Sequence, residues 1–371
     1  MQEADLPGLV AQVLGAGFAL GVAFGALAQR THFCTMGALA DVVYTGDWAR
    51  MRMWLLAVAV AMLGFNAMVA AGWVRAADTV YAGPRLLWLS HALGGLLFGF
   101  GMVLASGCGS KTLVRMGGGS LKALVVFLVL ATATAATLRG ITAVARVASV
   151  DTVALTLATG QDLPSLLAPA LGMSSRSLAL ALGGGLGLGL MTWVMARPEG
   201  RRPEVLLGGL GVGALVLGLW WVSGRLGHLD EHPLTLEPAF LASVSGRMES
   251  FSFVAPTAYT LEWLTMFSDK SRVLNLAIVT TLGVVLGSAA VALATGRFRW
   301  EGFAGTEDSA NHLAGAVLMG VGGVTAMGCT VGQGISGVST LALGSFIALA
   351  AILAGGVLGL RYLAWRLERQ A

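Results

Sequence analysis

Nine stretches of this chain are apolar for long enough to cross a bilayer: about 8–29, 53–74, 86–106, 121–144, 177–196, 204–223, 273–295, 313–328 and 341–361. A spanning helix needs about 20 predominantly apolar residues, and a chain with this many such runs has few other folds open to it. Inside hydrocarbon every backbone N–H and C=O must find a partner within the protein, and a helix satisfies them segment by segment. Only 11% of the residues are charged and the mean hydropathy is +0.79. A soluble domain carries about 25% charged residues, so this chain lacks the polar surface to cover a water-soluble globule. The expected fold class is an all-α integral membrane protein with about nine transmembrane helices.

The opening MQEADLPG has no basic stretch, so 9–28 reads as a retained span rather than a signal peptide. A net charge of +4 is too small and too scattered for nucleic acid. Three cysteines without a CxxC spacing make neither a disulfide framework nor a zinc site, and no metal or cofactor is expected.

One run occurs twice. His91–Cys108 reads HALGGLLFGFGMVLASGC, and 221 residues later His312–Cys329 reads HLAGAVLMGVGGVTAMGC, with nine of the eighteen positions identical. The placement of Lys and Arg gives the two copies a direction. With the N-terminus outside, the inner connections and the C-terminal tail hold fourteen of the 23 cations, among them Arg30, Arg50, Arg52, Lys111, Arg115 and Lys122. The first copy then ends at the cytoplasmic side and the second at the outer side. Similar segments in opposite orientations form an inverted-topology repeat, which in secondary transporters places the substrate near the midplane on broken helices. The expected halves are about 8–145 and 177–361. Between them lies a linker at about 146–176 with short interfacial helices, and a long outer connection covers about 224–272.

Each cysteine follows a span and sits at a helix break: Cys34 in QRTHFCTMGALAD, Cys108 in GFGMVLASGCGSKTLVRMGGGSL and Cys329 in GVGGVTAMGCTVGQGISGVST. A lone cysteine usually packs as a small hydrophobe. Three of three at helix breaks, two of them related by the repeat, point instead to a lined path. A glycine-flanked break, here Gly107, Gly109 and Gly328, offers backbone N–H groups and a helix end, which attract an anion without a fixed charge. A thiol adds a soft, weak donor, suited to an anion that must be held briefly and released. The thiols could instead be nucleophiles, but no partner base for that role is obvious near them.

These three motifs, together with SFVAPTAYTLEWL at 252–264, resemble the YeeE/YedE sulfur-transport family over nearly the whole chain. Characterised members take up thiosulfate. The resemblance implies a multi-pass protein of the bacterial inner membrane with two pseudo-symmetric funnels, in which Cys34, Cys108 and Cys329 relay the anion by S–H···S contacts. A cytoplasmic sulfur-carrier protein is the implied partner besides the anion and the lipid bilayer. Some members handle selenium or other sulfur species, and a membrane sulfurtransferase working through a cysteine persulfide is the enzymatic alternative.

Other residues are weighed around this path. Gln333, Ser336, Ser110 and Thr330 are candidate polar lining. His91 and His312, at equivalent places in the repeat, are candidates for gating, against an ordinary structural role at helix starts. Arg30, Lys111 and Arg115 could form an electropositive vestibule or simply set topology. Gly17, Gly21 and Gly25, and Gly183 with Gly187, read as helix-packing faces. Trp48, Trp54, Trp73, Trp88, Trp220 and Trp221 read as interfacial belt residues. Asp41 and Asp47 are expected to cap or pair locally.

Overall fold

A computed structural model describes residues 6–233 and 235–369; the first residues of the opening MQEADLPG lie outside them. The chain runs through α1 (Leu6–Thr31), α2 (Thr35–Tyr44), α3 (Ala49–Ala70), α4 (Trp88–Leu104), α5 (Gly109–Gly117) and α6 (Leu121–Arg139). Three helices of the middle region follow, α7 (Ile141–Ala148), α8 (Leu163–Leu171) and α9 (Ser175–Met195). The remainder holds α10 (Pro203–Trp221), α11 (Ala255–Thr265), α12 (Leu276–Ala294), α13 (Thr306–Thr325) and α14 (Leu343–Glu368). Nine long helices thus fall on the nine apolar runs. Among the described residues, eight stretches are long and apolar enough to cross a bilayer. The exception is α13, whose first turns carry Glu307, Asp308, Asn311 and His312.

The α6 helix stops at Arg139, short of the 144 expected, because Gly140 turns the chain into α7. Ala143 of α7 is buried while Ile141, Val144 and Val147 are exposed. That apolar outer face on a short helix suits the membrane interface. Two-residue antiparallel pairs, Arg85–Leu86 with Leu155–Thr156 and His228–Leu229 with Ala239–Phe240, tie connections together. Further bridges join Thr79 to Met248 and Asp162 to Ala342 on the same face, and Ser120 to Glu301 on the other.

Glycines set the helix spacing. Where α1 meets α12, a Cβ on Gly21 would stand 2.6 Å from the Thr280 carbonyl oxygen, and Gly25 is closer still to Val284. Gly17, Gly21 and Gly25 meet Leu276, Thr280 and Val284 in rising order, so the two helices run parallel. Gly183 and Gly187 of α9 lie against Asn66 and Leu63 of α3 in falling order, so that pair is antiparallel. Both glycine stripes are packing faces, as their spacing predicts.

The repeated helices α4 and α13 pack on each other antiparallel, through reciprocal contacts. A Cβ on Gly94 would stand 2.7 Å from the Gly322 oxygen, and one on Gly322 would stand 2.7 Å from the Gly94 oxygen. Gly101 and Gly315 repeat the relation at 2.8 and 2.6 Å. Gly94 corresponds to Gly315 and Gly101 to Gly322 in the repeat, so each contact maps onto the other by a two-fold rotation.

The tryptophans divide. Trp48, Trp73, Trp88 and Trp221 are exposed, as belt residues should be, but Trp54 and Trp220 are buried core residues. Trp220 stacks near Phe65 and Tyr81 and donates to the Ser339 hydroxyl at 3.2 Å. An interior that supplies that acceptor removes the indole's need for the interface.

Candidate functional site

The three cysteines are built on the same local device. Each of α1, α4 and α13 ends in a residue with positive φ two places before a cysteine: His32 at 53°, Ser106 at 54° and Met327 at 58°. The next residue's N–H then reaches back to a carbonyl of the helix, Phe33 to Ala28, Gly107 to Met102 and Gly328 to Gly323. This is the left-handed C-terminal cap of a helix, which stops it and redirects the chain. The cysteine follows in extended conformation as N-cap of the next helix at Cys34 and Cys108. After Cys329 the chain instead enters a π-helical turn, Gly332–Gly337.

The left-handed residues are therefore histidine, serine and methionine, and the neighbouring glycines serve another purpose. A Cβ on Gly109 would stand 2.5 Å from the Phe253 carbonyl oxygen, and one on Gly328 would stand 3.0 Å from Gln333. Gly107 has Lys111 at 3.0 Å in the same sense. These glycines admit close neighbours beside the cysteines.

All three thiols are free and buried. Cys34 Sγ accepts from the Gly37 N–H at 3.3 Å. Cys329 Sγ accepts from the Gly332 N–H and the Phe253 N–H, both at 3.3 Å. Cys108 Sγ lies 3.3 Å from the Ser110 hydroxyl. Cys108 lies within electrostatic reach of both Cys34 and Cys329. Phe253 links the elements, with its carbonyl against Gly109 and its N–H on Cys329. Its ring packs with Phe24 and Phe251, centroids 5.2 and 5.9 Å away. Phe253 lies in the segment 252–264 that carries the family resemblance, but its link to Cys329 was not readable there, because the bond comes from its backbone and spans 76 residues.

The other candidates fall into distinct places. Gln333 donates to the Ala326 carbonyl at 2.6 Å and leaves its Oε1 without a partner. Ser336 donates to the Phe251 carbonyl at 2.9 Å, so its hydroxyl proton is committed. Thr330 is buried with an unpaired hydroxyl. His91 and His312 are both buried: His91 Nδ1 lies 3.1 Å from the Ala326 oxygen across the α4–α13 contact, while His312 Nδ1 meets the Asp308 carbonyl within its own helix. Arg115 pairs with Glu301 at 3.3 Å, and Lys122 with Asp308 at 3.1 Å. Lys111 makes no ion pair among the described residues, and it lies within electrostatic reach of Cys34. Arg30 is exposed, likewise without an ion pair among the described residues. Asp41 pairs with Arg50, and Asp47 caps the Ala49 N–H at 2.8 Å, both local roles as expected.

A cavity of about 350 Å³ opens at the face where α1 begins, its lining including Tyr81, Glu249, Ser252, Tyr259, Met327 and Gly328. Its floor thus adjoins the break that carries Cys329. On the opposite face a recess of about 10 Å³ is lined by Ala105, Gly107, Thr112 and Arg115, beside the break that carries Cys108. The large cavity contains a carboxylate. Burial pushes the Glu249 pKa up, although its Oε1 accepts from the Val244 and Ser245 N–H groups and the Ser245 hydroxyl. Its one lining cation, Arg146, is held by Asp151 at 2.5 Å. No group of three or more His, Cys, Asp or Glu with metal-binding geometry occurs among the described residues.

Cys34 and Cys329 thus accept backbone N–H groups, whereas Cys108 meets a hydroxyl. Residues 30–358 match the family described as Sulphur transport. The chain is 26% identical over 350 residues to the thiosulfate transporter TsuA of Escherichia coli (strain K12), covering 91% of each chain. It is also 26% identical to the thiosulfate transporter TsuA of Spirochaeta thermophila, over 95% of this chain and 99% of that one. A shorter likeness, 33% over 104 residues, links it to the probable transporter YedE of Escherichia coli, covering 28% of this chain and 24% of the other.

Proposed function

Because the chain belongs to the Sulphur transport family, we propose that it takes up thiosulfate across a bacterial inner membrane through its three cysteine breaks. The observation that carries this reading is the repetition of one device at Cys34, Cys108 and Cys329: a left-handed helix stop, a buried thiol, and no charged side chain bonded to any of the three. Thiosulfate is a divalent anion with a soft terminal sulfur and three oxygens. A thiol S–H offers that sulfur a weak donor, whereas a lysine would hold the anion too firmly for passage.

The anion enters the cavity on the face where α1 begins and passes Met327 and Gly328 to Cys329. It moves on to Cys108 and then to Cys34, with each thiol donating S–H without forming a covalent bond. At Cys34 and Cys329 the sulfur already accepts from a glycine N–H, which leaves the S–H proton as the free donor. Lys111, without an ion pair, draws the anion past Cys34, and a cytoplasmic sulfur-carrier protein removes the product. The face where α1 begins is outside and the C-terminal tail is cytoplasmic, an orientation that the placement of the basic connections supports. No step is catalytic.

The test is growth on thiosulfate as sole sulfur source, in a strain lacking its own sulfate and thiosulfate uptake. Expression of the chain restores growth, and Cys108→Ser abolishes the rescue while the protein stays in the membrane at normal level. Absence of rescue, or full rescue by a variant with serine at all three positions, overturns the reading. A persulfide trapped on Cys108 during turnover would favour the sulfurtransferase instead.

A further inference from the structure

The chain contains the sequence Cys-Thr-x-Gly twice, at Cys34–Gly37 and at Cys329–Gly332. Both form the same turn, in which the cysteine Sγ accepts from the glycine N–H three residues on, at 3.3 Å in each case. Cys329 is paired by the repeat with Cys108, which is followed by Gly109 and Ser110. The second Cys-Thr-x-Gly turn is therefore no copy of the first inherited through that repeat.

In each turn the threonine after the cysteine is buried and its hydroxyl has no hydrogen-bond partner among the described residues. That is unusual for this chain. Thr31, Thr132, Thr137, Thr260 and Thr281 all donate to the carbonyl one turn back in their helices. Thr35 opens its helix and Thr330 follows a break, so neither has a straight helical turn behind it to supply that carbonyl. Four buried hydroxyls lack partners among the described residues, on Thr35, Thr134, Thr330 and Ser345, and two of the four directly follow a path cysteine. A buried polar group left unpaired is costly and asks for an explanation, of which a transient ligand is one.

We propose that Thr35 and Thr330 are specificity-determining residues that donate their hydroxyls to oxygens of the transported anion. At each turn the thiol meets the soft terminal sulfur and the adjacent hydroxyl meets the oxygenated end. Two kinds of donor on neighbouring residues match the two ends of a sulfur oxyanion such as thiosulfate, and match neither a simple sulfide nor sulfate. This inference rests on the transport reading above and assigns the part of the anion that the thiols do not address.

The test uses the full chain in cells lacking other sulfur-anion uptake, and measures initial uptake of radiolabelled thiosulfate. Thr35→Val and Thr330→Val keep the shape and remove the donor. Each raises KM about tenfold, the worth of one hydrogen bond to a charged group. Thr35→Ser and Thr330→Ser restore KM to near the wild-type value. The purified valine variants unfold at or above the wild-type temperature, because no protein hydrogen bond is lost; a merely structural role would lower it. Valine variants with unchanged KM overturn the inference while leaving the transport reading intact, as do serine variants no better than valine. A wild-type chain that carries no thiosulfate sinks both.

Discussion

Cys108 and Glu249 show how differently single residues declared themselves. Cys108 was legible because a cysteine at a duplicated helix break is a pattern, and the structure adds that it lies within electrostatic reach of the other two thiols. Its hydroxyl neighbour Ser110 would also accept from a serine at 108, so Cys108→Ser should fold normally. Its uptake should nonetheless fall at least about tenfold, as expected when a matched donor is replaced by a harder one; equal uptake would remove the thiol from the mechanism. Glu249 carried no signal in sequence, since one acid in a long polar connection looks like solvent-facing charge. Folding places it in the large cavity, with Tyr81, Tyr259 and the Asp151-bound Arg146 as its polar neighbours there. Burial raises its pKa, so the folded state holds that proton more tightly than the unfolded chain. Its contribution to stability is therefore largest in acid and is lost as pH rises from about 4.3, the ordinary glutamate value, through the raised one. In Glu249→Gln the thermal unfolding temperature should decline less over that window. A pH profile of unfolding identical to wild type would contradict this.

At the scale of elements, the spans were legible from apolar run length, and their ends were not. The breaks were expected because glycine surrounds the cysteines, yet the left-handed turn falls on His32, Ser106 and Met327, and Gly107, Gly109 and Gly328 provide close approach. Sequence cannot separate these two uses of glycine, because one is a property of the backbone and the other of a neighbour far along the chain. The distinction is measurable. Ser106 is exposed and makes no side-chain hydrogen bond among the described residues. A non-glycine residue in the left-handed region costs about 1 kcal/mol, so Ser106→Gly should stabilise the protein by roughly that amount. Gly109→Ala, at the same break but in the other role, would set a methyl 2.5 Å from the Phe253 oxygen and should lower the unfolding temperature and uptake together. If Ser106→Gly destabilises and Gly109→Ala is neutral, the assignment of the two roles is reversed.

For the whole molecule, the repeat in sequence covered one helix and its cysteine, but the packing extends the relation. Helix α1 lies on α12 as α3 lies on α10, α2 on α3 as α11 on α12, and α4 on α14 as α13 on α6. We propose on this basis that α1–α6 and α10–α14 are the two inverted halves, with α9 outside them against α3. Cys34, the N-cap of α2, then corresponds to Val254, the N-cap of α11. The path is thus asymmetric, with the third thiol on one side and an apolar side chain at the matching place on the other. Divergence had erased this part of the duplication from the sequence, where helix contacts rather than residue identities preserve it. The inversion also makes orientation a single testable choice, since the connection 266–275 and the connection 295–305 must lie on opposite faces. Ser268 and Gly302 are exposed on those connections, and a Cβ on Gly302 meets nothing within 4 Å. The native cysteines are buried and free, so a membrane-impermeant maleimide should leave them unlabelled. In intact cells the reagent should label Ser268→Cys and spare Gly302→Cys until the membrane is permeabilised. The opposite result would turn the molecule over and reverse the order of the thiols along the path, while labelling of both from outside would break the inversion on which the paired halves depend.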